Sequence, residues 1–153
     1  MHYRNLFRLY QSPEVKKHPF ISFLVPAYNE EDSLEGTIKN LLKIEYPKNK
    51  FEIIIINDGS KDNTQKIGLI LSKKYKAVRL LDKKNSGKAD SLNQAIKIAK
   101  GELIAVVDAD SYPKQDAVMK MVGHFEEKDV GAVTSRVLVR NKNNLLSRFQ
   151  IYF

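Results

Sequence analysis

Residues 51–56 form an almost wholly apolar run, which contains four consecutive isoleucines and narrows the possible folds more than any other segment. Isoleucine is β-branched and favours strands. A strand with one face in water alternates apolar and polar residues, and this run does not alternate. Strands covered on both faces are typical of parallel sheets with helices above and below. The run therefore predicts a buried strand inside a layered α/β fold.

Similar apolar runs recur along the chain, and segments with helical spacing of apolar residues separate them. The other predicted strands lie at residues 20–25, 77–81 and 103–107, the last also buried, and a further strand is expected to begin at 130–133. The predicted helices cover about residues 29–44, 62–75, 88–100 and 113–127. Strands that alternate with helices predict an open, mainly parallel sheet with helices on both faces.

Local signals mark the helix boundaries. Asn29, which is followed by three acidic residues, is the predicted N-cap of the first helix. Gly101 is the predicted C-cap of the third helix. The helical spacing predicts a buried face on that third helix, formed by Leu92, Ala95, Ile96 and Ala99.

Composition excludes several classes of protein. The 153 residues suit one domain with one core. The net charge is +8, but there is no long basic arm and no nucleic-acid-binding motif, so no nucleic-acid partner is expected. The absence of cysteine excludes disulfides, thiol catalysis and zinc–thiolate sites. No apolar run approaches the roughly 20 residues of a membrane helix, so the chain itself is expected to be soluble.

Polar clusters follow three of the apolar runs directly, at residues 26–30, 57–60 and 108–110. In an open parallel sheet, ligands bind outside the carboxyl ends of the strands. The three clusters are therefore expected to meet at one edge of the sheet, although they are far apart in sequence.

The third cluster contains two carboxylates, Asp108 and Asp110, separated by one residue. Two such carboxylates repel each other unless a cation lies nearby, and hard oxygen ligands suit Mg²⁺ or Mn²⁺. Magnesium is usually held by one or two carboxylates together with substrate phosphates, so the pair predicts a diphosphate ligand. Lys88, at a predicted helix start, could also face phosphate. The complete phosphate-loop and dinucleotide fingerprints are absent.

Four motifs together resemble family 2 glycosyltransferases, which have the GT-A fold. They are VPAYNEE at residues 25–31, IINDGSKDNT at 55–64, NSGKA at 85–89 and VDAD at 107–110. The resemblance covers about residues 20–134. The GKA element and residues 144–153 look most like the processive, membrane-embedded branch, which includes cellulose, chitin, hyaluronan and poly-N-acetylglucosamine synthases.

The resemblance implies a set of nucleotide-sugar-binding positions: Pro26, Ala27, Tyr28, Glu30, Asp58, Lys88, Asp90, Asp108, Ala109 and Asp110. The first four match the loop that lines the nucleoside pocket. Asp58 matches the acid that hydrogen-bonds uracil, and Lys88 and Asp90 match the segment near the diphosphate and ribose. Asp108 and Asp110 match the DxD motif, in which Asp110 is the favoured direct metal ligand and Asp108 lies nearer the ribose or the metal.

The resemblance also implies an activity, the transfer of a sugar from a UDP-sugar to a glycan or lipid acceptor with inversion and with Mg²⁺ or Mn²⁺. Family members carry the general base in a later Thr-Glu-Asp-like motif, and processive members add Gln-x-x-Arg-Trp. Neither motif occurs in this sequence, which has no tryptophan. The catalytic base is therefore unassigned and expected outside this chain, so this chain alone is expected to lack the complete catalytic machinery.

These implications give a domain division and two alternatives. We expect an N-terminal extension at residues 1–19, a GT-A nucleotide-sugar-binding domain at 20–140, and the start of a truncated acceptor-side or membrane-proximal segment at 141–153. The full-length parent is expected to be embedded in the membrane, with this domain on the cytoplasmic face. The alternatives are a non-catalytic nucleotide-sugar-binding module and a nucleotidyltransferase, although no matching glycine-rich loop occurs near the N-terminus.

Overall fold

The computed structural model describes residues 13–135, which form a layered α/β structure around one parallel sheet. Its strands are β1 (Ile21–Ala27), β2 (Phe51–Asp58), β3 (Val78–Lys83) and β4 (Leu103–Val106). Their order in the sheet is β3-β2-β1-β4, and every neighbouring pair is parallel. The predicted α/β class and parallel sheet are confirmed.

The helices follow the strands in the predicted alternation. They are α1 (Leu34–Leu41), α2 (Thr64–Lys74), α3 (Lys88–Ile98) and α4 (Ala117–Val122), with a 3₁₀ helix at Gly123–Glu126. Within residues 13–135, none of the helices combines the length and the apolar character needed to cross a bilayer.

The four isoleucines divide between two apolar layers because successive strand side chains point to opposite faces. Ile53 and Ile55 pack in the larger layer with residues of α1, α2 and α4. Ile54 and Ile56 pack on the other face with Ala95 of α3. All residues of β2 are buried, as the missing alternation predicted. Burial of each isoleucine contributes about 1.5–3 kcal/mol relative to exposure.

Pro26 lies inside β1, although we expected the strand to end before it. The carbonyl of Leu24 accepts from Val107 N, so even-numbered residues of β1 direct their backbone groups towards β4. The pairing of β1 with β4 stops at Leu24, while the pairing with β2 continues to Ala27. The missing N–H of Pro26 therefore costs no hydrogen bond in the sheet.

The predicted N-cap at Asn29 is wrong. Helix α1 begins at Leu34 with Ser33 at the N-cap position. Asn29 has φ of 56°, a left-handed conformation that asparagine tolerates better than most residues. Its side-chain oxygen accepts from Lys61 N at 2.8 Å, so Asn29 connects two loops instead of capping a helix.

Gly101 does not cap α3 either, because the C-cap residue is Ala99, in an extended conformation. A Cβ atom at Gly101 would lie 2.5 Å from both Ser22 N and Leu103 O. Glycine is therefore required there because the turn before β4 passes against the backbone of β1.

The predicted burial of Ile96 and of both faces of β4 is also wrong. Ile96 is 49% exposed because α3 packs on the sheet through Ser91 and Ala95, which lie on a different side of the helix. Ile104 and Val106 are 41% and 51% exposed. They share a face of the sheet with α3, but α3 packs mainly on β1 and β2.

The C-terminal part of the described chain is less regular than predicted. Helix α4 begins at Ala117, a few residues later than expected, and gives way to the 3₁₀ helix before Glu127. The strand expected to begin at residues 130–133 is absent from the structure, where these residues are irregular. The predicted segment at 141–153 and residues 1–12 of the predicted extension lie outside the described residues.

Candidate functional site

A pocket of about 450 Å³ lies at the carboxyl ends of the strands. The chain runs from β1 outwards to β3 and then returns to the other side of β1 as β4. Such a reversal of strand order opens a crevice, which is where ligands bind in sheets of this type. The pocket is lined by Pro26, Ala27, Tyr28, Glu30, Asp58, Asn85, Gly87, Lys88, Ser91, Asp108, Ala109 and Asp110.

The loop after β1 is held by the loop after β2. Asn29 N donates to Ser60 Oγ at 3.0 Å, and Glu30 N donates to Thr64 Oγ1 at 2.7 Å. Ser33 Oγ donates to the Glu30 carboxylate at 2.5 Å, which fixes that side chain at the pocket wall. The bonds from Asn29 N and Glu30 N join residues more than thirty positions apart, so they hold the two loops together at the pocket.

Asp58 lies at the end of β2, and its side chain is 7% exposed. Its Oδ1 accepts from Lys83 Nζ at 2.5 Å and Ser86 N at 2.9 Å, and its Oδ2 accepts from Gly87 N at 2.9 Å. Burial alone would raise the pKa of Asp58, but these donors and Ser91 outweigh it and hold that pKa below its usual value. Asp58 is therefore a fixed, ionised hydrogen-bond acceptor in the pocket.

The turn after β4 places Asp108 and Asp110 on either side of a buried alanine. Ala109 is 3% exposed, and its carbonyl accepts from Thr37 Oγ1 of α1 at 2.7 Å. The Asp108 side chain is 56% exposed and pairs with Lys88 Nζ at 2.6 Å. Because the Thr37 hydroxyl holds the Ala109 carbonyl, the two flanking carboxylates stay at the open side of the pocket.

The donor set fits a divalent cation only in combination with ligand oxygens. Among residues 13–135, no group of three or more His, Cys, Asp or Glu side chains is arranged to hold a metal ion. Asp108 and Asp110 are hard oxygen donors that line the same pocket. Mg²⁺ and ions of similar chemistry are commonly held by one or two carboxylates with phosphate oxygens. The residues present therefore suit a metal that arrives with a diphosphate.

The structure brings nine of the ten predicted binding residues to this pocket. Asp58 lines the same pocket as Asp108 and Asp110, as the argument from strand ends required. Asp90 does not line it. Its carboxylate accepts from Ser86 Oγ and from Gln94 Nε2 instead. The roles of all ten residues in nucleotide binding stay predictions.

Sequence reasoning missed several residues of the site. Ser91 lines the pocket three positions after Lys88, and this helical spacing could have identified it. Asn85 and Gly87 belong to a motif already noted, but neither was assigned a binding role. Lys83 and Thr37, which hold the pocket in shape, gave no signal because their positions depend on strand register and helix packing.

Comparison with solved structures shows that this chain is a GT-A-type α/β domain. A mannosyltransferase, PcManGT from Pyrobaculum calidifontis in complex with GDP-Man and Mn²⁺, aligns with a TM-score of 0.71 and 26% identity over 84% of this chain and 40% of its own. S. aureus TarS in complex with UDP-GlcNAc aligns with a TM-score of 0.61 and 25% identity over 80% of this chain and 38% of its own. The predicted GT-A fold is thereby confirmed.

The chain belongs to glycosyl transferase family 2, whose family model matches residues 22–152. It is 40% identical over 131 residues to a poly-beta-1,6-N-acetyl-D-glucosamine synthase of Staphylococcus aureus, covering 85% of this chain and 31% of the relative. It is 37% identical over 148 residues to a beta-monoglucosyldiacylglycerol synthase of Nostoc sp., covering 94% of this chain and 32% of the relative. The chain thus spans about a third of the length of these relatives.

Proposed function

We propose that this chain is the donor-binding part of an inverting glycosyltransferase that uses a UDP-sugar and a divalent metal. The observation that carries the proposal is the meeting of Asp58 with Asp108 and Asp110 in one pocket. A hydrogen-bond acceptor for a nucleobase therefore lies in the same crevice as a pair of carboxylates suited to a metal and a diphosphate. The UDP-GlcNAc complex of TarS and the GDP-Man complex of PcManGT support a nucleotide-sugar donor.

Each part of the donor has candidate contacts in the pocket. Tyr28, which is 45% exposed, offers its ring to the nucleoside beside the Glu30 loop. Asp58 would accept from a base N–H. Lys88 would leave its ion pair with Asp108 and pair with the diphosphate, because its side chain is 59% exposed and free to move. Asp110, with Asp108, would hold Mg²⁺ or Mn²⁺, which neutralises charge on the departing diphosphate.

The transfer itself replaces one bond at the anomeric carbon. The acceptor hydroxyl oxygen bonds to that carbon while the bond from the carbon to the diphosphate oxygen breaks, and UDP leaves. A single displacement of this kind inverts the anomeric centre. The hydroxyl proton goes to a general base within hydrogen-bond reach. We propose that a residue outside this chain serves as that base.

The acceptor is a glycan or a lipid in this proposal. One relative is named as a poly-beta-1,6-N-acetyl-D-glucosamine synthase and another as a beta-monoglucosyldiacylglycerol synthase. Their names support an enzyme over a non-catalytic binding module. The parent would act at the cytoplasmic face of a membrane, with residues 20–140 as the donor domain and 141–153 leading to its acceptor side.

Calorimetric titration of the chain tests the donor site. We expect UDP and UDP-N-acetylglucosamine to bind and Mn²⁺ to strengthen their binding. Asp110→Asn should remove most of the metal effect, and Asp58→Asn should weaken UDP about tenfold to a hundredfold, the usual range for a hydrogen bond to a charged group.

Asp129→Asn is a matched control because Asp129 is exposed and lies outside the pocket. It should bind UDP like the unaltered chain. Failure of UDP to bind with or without Mn²⁺ would refute the donor assignment. An unchanged metal effect in Asp110→Asn would refute the metal assignment alone.

A further inference from the structure

Lys83 is a nearly buried lysine at the end of β3, directly behind the pocket. Its side chain is only 8% exposed, and it does not line the cavity. Its Nζ donates to Asp58 Oδ1 at 2.5 Å, to the carbonyl of Lys84 at 2.8 Å and to Ser86 Oγ, with Ser91 Oγ at 3.3 Å. The family motifs did not point to this residue.

An ammonium group has three donor hydrogens and no acceptor. The oxygens around Lys83 Nζ already exceed that number, since the Asp90 carboxylate also lies 3.5 Å away. No hydrogen is left for a ligand. Lys83 therefore acts on the pocket through its neighbours, in contrast to Lys88, whose exposed ammonium group can reach a bound phosphate.

Lys83 and its neighbours occupy most of the acceptor positions of the Asp58 carboxylate. A carboxylate accepts about four hydrogen bonds. Asp58 Oδ1 accepts from Lys83 and Ser86 N, Oδ2 accepts from Gly87 N, and the Ser91 hydroxyl also hydrogen-bonds this carboxylate. A ligand N–H that reaches Asp58 therefore shares an oxygen with these donors or replaces Ser91. The ionised carboxylate can receive an N–H, but it repels a ring nitrogen that carries a lone pair.

We propose that Lys83 is a positioning residue that sets base selectivity: it holds the Asp58 carboxylate in place as an acceptor and ties the loop at residues 85–87 beside it. The pocket should then take bases whose ring edge carries an N–H, such as uracil and guanine. It should reject cytosine and adenine, whose corresponding ring nitrogens are acceptors. This inference rests on the proposed donor site.

The experiment compares UDP, GDP, CDP and ADP as calorimetric probes of the whole chain. The unaltered chain should bind UDP about tenfold to a hundredfold more tightly than CDP, the value of one hydrogen bond to a charged group. ADP should be rejected like CDP, and GDP should bind more tightly than ADP. In Lys83→Met the preference for UDP over CDP should shrink towards one, because Asp58 loses the ammonium group that holds its carboxylate in place. Lys83→Arg, which keeps the charge, should restore part of the preference.

Lys84→Met is the matched control because the neighbouring side chain is exposed. It should keep the full preference, and thermal melts should show that each variant is folded. Equal binding of UDP and CDP by the unaltered chain would overturn the inference without any variant. A folded Lys83→Met with the original preference would also overturn it, while leaving the donor site intact. Absence of all nucleotide binding would instead remove the proposed function and this inference with it.

Discussion

Glu52 offers a sharp test of how the end of the sheet away from the pocket is held together. It is 5% exposed and lies in β2 six positions before Asp58. Its carboxylate accepts from Ser22 Oγ, Arg79 Nη1 and Lys100 N, each at 2.8 Å. These bonds join β1, β2, β3 and the turn before β4. We therefore expect Glu52 to stabilise the fold without affecting the pocket.

The magnitude follows from which bonds each variant keeps. In Glu52→Gln one carboxylate oxygen becomes an NH₂ group that faces a donor in either orientation. Arg79 is 37% exposed and can turn to water, so the cost should be about 1–2 kcal/mol. Glu52→Ala loses all three bonds and leaves a void, for a cost of about 3 kcal/mol. That corresponds to roughly 6–12 °C in melting temperature for a chain of this length.

The assay is urea unfolding, with calorimetric UDP binding as a second measurement. Glu45→Gln is the control because Glu45 is exposed, and it should change the unfolding free energy by less than about 0.5 kcal/mol. UDP affinity should stay within twofold in every variant, since Glu52 lies roughly 20 Å from Asp58 along the strand. If Glu52→Gln were as stable as Glu45→Gln, the carboxylate would not be the group that joins these strands.

The effect should depend on pH in one direction. Burial alone would raise the pKa of Glu52, but the hydrogen bonds from Arg79, Lys100 N and Ser22 outweigh it and hold that pKa below the usual 4.5. A carboxyl with a lower pKa in the folded state stabilises the fold above its unfolded pKa. This stabilisation is lost as the pH falls through the folded value. The difference between the unaltered chain and Glu52→Gln should therefore be full above about pH 4.5 and shrink below it.

Two further substitutions test close packing and the turn that carries the carboxylates. Thr37→Val removes the hydrogen bond to Ala109 O, so the unfolding free energy should fall by about 1 kcal/mol and the Mn²⁺ effect on UDP binding should weaken. An unchanged metal effect would show that the turn needs no such support. Gly123→Ala would place a Cβ atom 2.2 Å from Pro13 O, so urea melts should show a loss of about 1–3 kcal/mol. Gly131→Ala, which adds its Cβ to open space, should be nearly neutral, and equal losses in both variants would refute the packing argument.

Some features of this fold follow directly from composition along the chain. The missing alternation at residues 51–56 requires cover on both faces, and the structure buries every residue of β2. The clusters after the strands must share an edge once the sheet is parallel, and Asp58 does share a pocket with Asp108 and Asp110. Ile96 was misassigned because helical spacing predicts one buried face but not how wide a face the neighbouring sheet can cover.

The role of Lys83 depends on strand register, which one sequence does not encode locally. Lys83 and Lys84 are identical neighbours at the end of an apolar run. The parallel pairing sets Lys83 beside Asp58, and the alternation of strand side chains then turns Lys84 away to solvent. A shift of one residue in register would exchange the two lysines. The long-range contacts that fix β3 against β2 therefore decide which lysine lies against the Asp58 carboxylate. In our proposal, they thereby also decide which nucleobases the pocket selects.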